Sequence, residues 1–94
     1  MIHDLKTWPT MFAAVLSGIK THEIRKDDRP FAIGDVLRLR EWVPDIPDAC
    51  RHDAKGLTGA FTGRECDVSV TFVTAGGQWG LPRDVVVMSI CALP

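Results

Sequence analysis

Apolar residues recur at intervals of three and four near the start of the chain, which is the spacing of one face of an α-helix. The members of this stripe are Trp8, Phe12, Val15, Leu16 and Ile19. Pro9 suits a first helical turn, Gly18 suits a left-handed stop, and Thr7 or Trp8 can cap the helix. The pattern predicts a helix over about residues 9–17, and its apolar stripe must pack on something, which we expect to be a sheet.

The period changes to two after residue 20, which is the alternation of a β-strand. Thr21, Glu23 and Arg25 fall on one face of this strand, and His22 and Ile24 fall on the other. The Asp, Pro and Gly residues of "DDRPFAIGD" then indicate a turn. The sequence therefore predicts a strand one face of which is charged.

Three further segments have strand patterns. The segment "VLRLREW" alternates leucine with arginine, and "CDVSVTFVT" alternates apolar with polar residues. The segment "DVVVMSICAL" is a nearly continuous apolar run, typical of a central strand. Two prolines, three glycines and scattered charge fill residues 44–64 without a sustained period, which predicts a long surface loop at about 44–60.

Four strands and one helix, without a βαβ rhythm, predict a mainly β domain of the α+β kind. We expect a small, mostly antiparallel barrel with the helix packed on one side. A chain of 94 residues with 46% hydrophobic and 24% charged residues fits one globular domain.

The net charge and the N-terminal sequence limit the partners and the location that we expect. The formal net charge is −1 and no long block of like charge occurs, so bulk electrostatics do not favour duplex DNA or an anionic membrane. The N-terminus lacks the basic and apolar regions of a signal peptide, and no apolar stretch approaches the roughly 18 residues of a membrane span. We expect a cytoplasmic protein that does not bind a membrane.

The three cysteines, Cys50, Cys66 and Cys91, are an odd number at wide spacing. This spacing favours free thiols over a disulfide framework or a four-ligand zinc site. Cys50 and His52 could supply two metal ligands, but the sequence has no evident second pair. We predict neither a metal nor a cofactor.

The strongest candidate site is the charged face of the first predicted strand. Lys20, Glu23 and Arg25 would come together at a helix-to-strand junction. Lys and Arg bind phosphate or carbonyl oxygens, and Glu accepts hydrogen bonds from exocyclic amines, which suits a nucleobase or a nucleotide. The alternative is a solvated strand face with ion pairs that add little stability. Spacing alone leaves both interpretations open.

Neighbouring motifs offer further contacts. Arg29 is placed as a phosphate contact, whereas Asp27 and Asp28 have the pattern of turn formers more than of a paired-carboxylate catalyst. Thr62 and Arg64, on either side of a glycine, form either a small anion nest or a turn followed by an edge arginine.

Trp79 and two isolated histidines are the remaining candidate residues. Trp79, in "GGQWG", is either a lid over the barrel end or a platform for stacking a base. That segment lacks the Lys-Ser/Thr ending of a phosphate-gripping P-loop, which excludes an NTPase. His3 and His22 are isolated candidates for a general base.

The motifs taken together resemble a known family. The chain contains a G-x-K-x-x-E-x-R signature followed by DR and GD pairs, at Gly18, Lys20, Glu23, Arg25, Asp28-Arg29 and Gly34-Asp35. With "FTGR" and "GLPRDVVVMSI", these residues resemble the DUF3850 group of the ASCH (activating-signal-cointegrator homology) domains, within the PUA-like superfamily. The similarity runs nearly end to end, although Phe61 stands where the group typically has Tyr.

The resemblance implies a PUA-like β-barrel whose signature residues line a cleft beside the helix and bind RNA or a nucleotide-like ligand. Lys20, Arg25, Arg29 and Arg64 are then the oxygen contacts, and Glu23 selects the ligand. Some ASCH-type hydrolases use a lysine, a threonine three residues later and a distant glutamate. Lys20 matches that lysine but Glu23 replaces the threonine, so a hydrolase with Lys20 and Glu23 in acid-base roles is the alternative.

Overall fold

The computed structural model of the protein describes residues 1–45 and 58–93. Within these ranges the chain forms five strands and one helix. Their bounds are β1 (Ile2–Thr7), α1 (Pro9–Leu16), β2 (His22–Lys26), β3 (Val36–Pro44), β4 (Gly59–Thr74) and β5 (Val85–Ala92). In these ranges there is no helix long and apolar enough to cross a membrane.

The helix α1 confirms the first prediction nearly residue for residue. It begins at Pro9 and ends at Leu16, and Gly18 adopts a φ of 82° while its amide bonds the carbonyl of Val15 at 3.1 Å. This left-handed turn satisfies a carbonyl of the last helical turn. The buried stripe is narrower than predicted because Leu16 and Ile19 are largely exposed, and only Phe12 and Val15 are buried.

The five strands form one sheet in the order β1-β3-β4-β5-β2, which curls into a half-barrel. All neighbours are antiparallel except β1 and β3, which run parallel. The mostly antiparallel, mainly β prediction is therefore confirmed, but the count of four strands is wrong. Strand β1 was missed because two of its three inward positions are His3 and Thr7, so it lacks an apolar alternation.

Most of the predicted loop at about 44–60 lies outside the described residues. Pro44 belongs to β3, and β4 begins at Gly59. The segment 59–64 lacks a visible period because its strand is irregular, as described below. Residues 46–57, which include Cys50 and His52, lie outside the described residues.

Aliphatic side chains fill the concave face of the half-barrel, and α1 covers them. The core consists of Leu5, Phe12, Val15, Leu37, Leu39, Val68, Val70, Val86, Met88 and Ile90. Burying a side chain of this size contributes about 1.5–3 kcal/mol. Glu23, Glu41 and Thr7 are buried as well, so the apolar packing of the concave face gives way to polar side chains beside it.

The two edge strands approach each other without pairing. Among the described residues β1 pairs only with β3, and β2 pairs only with β5. Two arginines cross the gap between them, which we call the seam. Arg25 Nη2 donates to Thr7 Oγ1 at 3.2 Å, and Arg29 Nη1 donates to the carbonyl of Asp4 at 3.0 Å. Side chains therefore connect the edges where a closed barrel would have a backbone ladder.

A buried histidine holds the start of β1. His3 Nε2 lies 2.9 Å from Asp35 Oδ2, and the amide of Ala32 donates to the same oxygen at 3.0 Å. The His3 ring also packs edge-on against Phe31, with centroids 4.7 Å apart. His3 therefore packs in the fold, and its hydrogen bond lowers the pKa of the Asp35 carboxyl below the usual 3.8.

We expect Asp35→Asn to destabilise the protein near neutral pH and to do so less in acid. A carboxyl whose folded pKa is lowered contributes stability that is present above its unfolded pKa, about 4, and is lost as the pH falls through the folded pKa. Urea unfolding from neutral pH into acid measures the difference from the wild type. Asp84→Asn removes an exposed carboxyl and is the control, and a difference that does not change with pH would contradict the prediction.

Candidate ligand-binding site

Glu23 is the centre of a buried cluster of charges. Only 3% of this residue is exposed; its Oε1 accepts from Lys20 Nζ at 2.6 Å and its Oε2 from Arg25 Nε at 3.0 Å. The alternation of β2 directs Glu23 and Arg25 inward and leaves Ile24 58% exposed on the outer face. The charged face of β2 therefore points into the half-barrel, and the alternative of a solvated strand face is wrong for Glu23.

The end of α1 fixes the position of Lys20. Its amide bonds the carbonyl of Ala14 at 3.1 Å, so the backbone remains tied to the helix past its last turn. Its ammonium group donates to the carbonyl of His22 as well as to Glu23, both at 2.6 Å. The helix stop at Gly18 thus sets the geometry of the ion pair.

Arg25 connects this cluster to β1 through Thr7. Its guanidinium donates to Glu23 through Nε and to the Thr7 hydroxyl through Nη2. Thr7 is 3% exposed and is paired in register with Glu41 of β3. The sequence suggested only a capping role for Thr7, and its inward position on β1 was missed with the strand itself.

A bulge in β4 builds the opposite wall of the site. The register passes from Arg40–Glu65 to Trp42–Phe61, so the segment 62–64 lies opposite Glu41 alone. Gly63 accommodates the bulge with a φ of 92°. Extra residues in one strand redirect its side chains, and here they direct Thr62 and Arg64 to Glu41.

Two donors of the predicted anion nest, the Thr62 hydroxyl and the Arg64 amide, already have acceptors within this cluster. Thr62 Oγ1 donates to Glu41 Oε1 at 2.9 Å and accepts from the Arg64 amide at 3.1 Å. Arg64 Nη1 lies 3.7 Å from Glu41 Oε1, with 61% of its side chain exposed. Thr62 and Arg64 therefore belong to one cluster with Glu41, and the Arg64 side chain is open to a ligand.

Glu41 is a candidate that the site prediction did not include. It is 7% exposed, and within the described parts of the chain the contacts of its carboxylate are made by Oε1. A signal for it exists in the sequence, because Glu41 interrupts the alternation of "VLRLREW" immediately before an apolar residue. The bulge makes Glu41 and Trp42 both buried.

The other predicted contacts lie elsewhere. Arg29 lies at the seam, bonded to β1 rather than to Glu23. Trp79 is 87% exposed in the connection between β4 and β5 and has a φ of 56°. It lines neither the cleft beside Val15 of α1 nor the cleft between β1 and β2. Its lid and stacking roles stay predictions. Asp27 and Asp28 are exposed in the bend after β2, where turn formers belong.

Metal ligands and cysteine thiols are two further groups that can carry chemistry. In residues 1–45 and 58–93, no three His, Cys, Asp or Glu residues cluster as metal ligands. Cys66 and Cys91 are free thiols. Burial raises the pKa of the Cys66 thiol, which disfavours the reactive thiolate.

Two comparisons with known proteins bear on this arrangement. The family model described as "Domain of unknown function (DUF3850)" matches residues 2–90. An uncharacterized 12.9 kDa protein in the GpA 3′ region of Escherichia phage P2 is 37% identical over 78 residues. That match covers 83% of this chain and 59% of the phage protein, so the chain spans about three fifths of its relative's length.

We expect the Lys20–Glu23 pair to be energetically coupled. Removing one partner of a buried pair leaves a charge in a poor environment, although Arg25 still neutralises Glu23 in Lys20→Met. Lys20→Met should cost about 2 kcal/mol, and a double-mutant cycle with Glu23→Gln should give a coupling of about 1–3 kcal/mol. Urea unfolding measures both. The more exposed Arg38–Asp67 pair, N–O 3.0 Å, is the control with the smaller coupling, and additive effects at Lys20 and Glu23 would contradict the prediction.

Proposed function

The chain belongs to the DUF3850 family, and we propose that this member is a PUA-like (ASCH) module that binds RNA or a nucleotide-like ligand. The ligand would bind at the polar side chains that β2, the end of β1 and the bulge of β4 present to one another. One observation carries the proposal, namely that Lys20 and Arg25 both bond the carboxylate of Glu23 at a buried, inward position of β2. Burying ions costs more than burying aliphatic side chains of similar volume, so stability alone does not favour this cluster.

The cluster supplies donors in fixed positions. Lys20 uses two of its ammonium hydrogens on Glu23 and the His22 carbonyl, and Arg25 uses part of its five-donor fork on Glu23 and Thr7. The remaining donors are held by these same bonds, so little side-chain entropy is lost when they bind an oxygen. Arg64 adds an exposed guanidinium from the other wall.

Two carboxylates, those of Glu23 and Glu41, would supply the hydrogen-bond acceptors that select the ligand. Each oxygen of Glu23 already accepts from a cation, which leaves it limited capacity for an exocyclic amine. Glu41 receives a hydroxyl donor and one loose contact from Arg64, both at Oε1. Glu41, whose register partner Thr7 accepts a hydrogen bond from Arg25, would therefore supply a further acceptor for base amines.

The same contacts favour binding over acid-base catalysis. A general base needs an oxygen within reach of a substrate proton, and both oxygens of Glu23 are engaged by Lys20 and Arg25. Lys20 in turn has two acceptors for its ammonium group. Hydrolysis with Lys20 and Glu23 in acid-base roles remains the alternative that the experiment includes.

The test is a titration of the ¹⁵N-labelled protein, at low salt, with nucleosides, nucleoside monophosphates and a single-stranded RNA hexamer. We expect shifts at the amides of Lys20, Glu23, Arg25 and Glu41. Arg64→Ala should weaken binding about tenfold, the value of one charge-assisted hydrogen bond. Arg64 is exposed, so its loss should leave the fold intact.

Arg83→Ala is the matched control because Arg83 is an exposed arginine in the connection between β4 and β5. Absence of shifts at the cluster, or equal binding by the Arg64 and Arg83 variants, would overturn the proposal. Incubation with acylated cytidines and with RNA forms the second arm. Product formation that is abolished in Lys20→Met would replace the binding function by the hydrolase alternative.

A further inference from the structure

The outer side of the seam is a cleft of about 530 Å³. Of the residues predicted to contact a ligand, Arg25 and Arg29 line it. We call it the seam cleft. Its basic lining residues come from both edge strands, from the bend after β2 and from β3, and are Lys6, Arg25, Lys26, Arg29 and Arg40. The carboxylates in the lining are Asp4 and Asp28. Basic groups are thus concentrated here in a chain whose net charge is −1.

Two of these cations have no carboxylate partner in the part of the chain that the structure describes. Lys6 and Lys26 lie on the outward faces of β1 and β2, and neither is within ion-pair distance of a described Asp or Glu. The ammonium group of Lys6 lies 4.6 Å from the centroid of the Trp42 ring. A cation–π contact of this kind positions a charge without neutralising it.

Arg40 is held in a comparable way. Its guanidinium carbon lies 4.0 Å from the centroid of the Phe61 ring, and its nearest carboxylate contact is Glu65, at 3.9 Å from Nε. A guanidinium stacked on a ring keeps the N–H groups along its edge available to oxygen acceptors. Phe61 and Arg40 both line the seam cleft, so these donors are available there.

Arg25 makes the seam cleft continuous with the Glu23 cluster. It lines the seam cleft while donating inward to Glu23 and Thr7. Arg29 lines the same cleft and uses Nη1 on β1, which holds its remaining donors at the seam. A ligand lying on Arg25 therefore meets acceptors on one side of the seam and cations on the other.

We infer that the seam cleft binds phosphate groups of a ligand whose base lies at Glu23 and Glu41. This inference deepens the proposed function and rests on it. The phosphates belong either to the 5′-polyphosphate of a single nucleotide or to successive residues of a single strand, because both present anionic, non-bridging phosphate oxygens. Ile24, Phe31 and Phe61 supply apolar walls, and such walls strengthen the attraction between the cations and phosphate.

The competing explanation is protection of the open edges. Lysines on edge strands prevent two sheets from pairing through their free backbone groups, and β1 and β2 are both edges. This explanation requires charge at Lys6 and Lys26 and predicts no ligand. It therefore differs from phosphate binding in what the loss of the lysines changes.

The experiment compares the wild type with Lys6→Gln/Lys26→Gln, whose exposed substitutions leave the core intact. Arg83→Gln is the charge-loss control. Cytidine, cytidine 5′-triphosphate and a single-stranded RNA hexamer are titrated over a series of salt concentrations, and inorganic pyrophosphate is titrated at low salt. For a strand, each lost phosphate contact reduces the slope of log affinity against log salt by about 0.7.

We expect the double lysine variant to bind cytidine with the affinity of the wild type. We expect it to bind cytidine 5′-triphosphate, the RNA hexamer or both about tenfold more weakly. A loss with the triphosphate indicates a polyphosphate site, and a loss confined to the hexamer indicates a path for a strand. Equal affinities and salt slopes for the lysine variant and Arg83→Gln overturn the inference. Self-association of the variant in sedimentation, with unchanged binding, assigns the lysines to edge protection.

The two proposals fail in different ways. In one outcome pyrophosphate changes the amide chemical shifts of Lys6, Lys26 and Arg40, and no nucleoside or nucleotide changes that of Glu23. This outcome leaves the seam cleft as an anion site and overturns the proposed function. Nucleoside shifts at Glu23 and Glu41, with no effect of pyrophosphate or of the lysine substitutions, overturn the seam inference alone.

Discussion

The structure depends on one carboxylate, that of Glu23, held between Lys20 and Arg25. Lys20 links it to the end of α1, and Arg25 links it across the seam to Thr7 of β1. The helix, the last strand of the sheet order and the first strand are thereby joined through one group. Opposite charges placed this closely in a dehydrated position hold a defined geometry, because leaving either side unpaired is costly.

The same cluster lies where the half-barrel is left open between its two edge strands. A closed barrel would pair β1 with β2 through backbone hydrogen bonds, and the edge groups of both strands would be unavailable. Here Arg25 and Arg29 bridge the edges instead, so the gap remains lined by side chains. A gap bridged by guanidinium groups keeps hydrogen-bond donors between β1 and β2. Arg25 and Arg29 thus lie at the part of the fold that the backbone leaves open.

The bulge in β4 complements this gap from the other side. By placing three residues opposite Glu41, it brings Thr62 and Arg64 into contact with a second buried carboxylate. The Thr7 hydroxyl accepts a hydrogen bond from Arg25, and Thr7 is the register partner of Glu41. Glu23 of β2 and Glu41 of β3, which are not neighbours in the sheet, are therefore linked through Thr7 of β1. This convergence, together with the cations of the seam cleft, is the physical basis of the proposed binding of a nucleotide-like ligand.

Much of this protein follows from its sequence alone. The spacing of apolar residues, Pro9 and Gly18 determines α1, and the alternation after residue 20 places Glu23 and Arg25 on one face of β2. Periodicity states which residues share a face but not which face is buried, because that depends on segments distant in the chain. Only the tertiary structure showed that Glu23 faces inward and that β1 is a strand. It also showed that the bulge brings Thr62 and Arg64 to Glu41, and that Lys6, Lys26 and Arg40 line one cleft at the seam. Each of these depends on pairing between remote strands, where ion pairs and register, rather than local hydrophobicity, decide which side chains become buried.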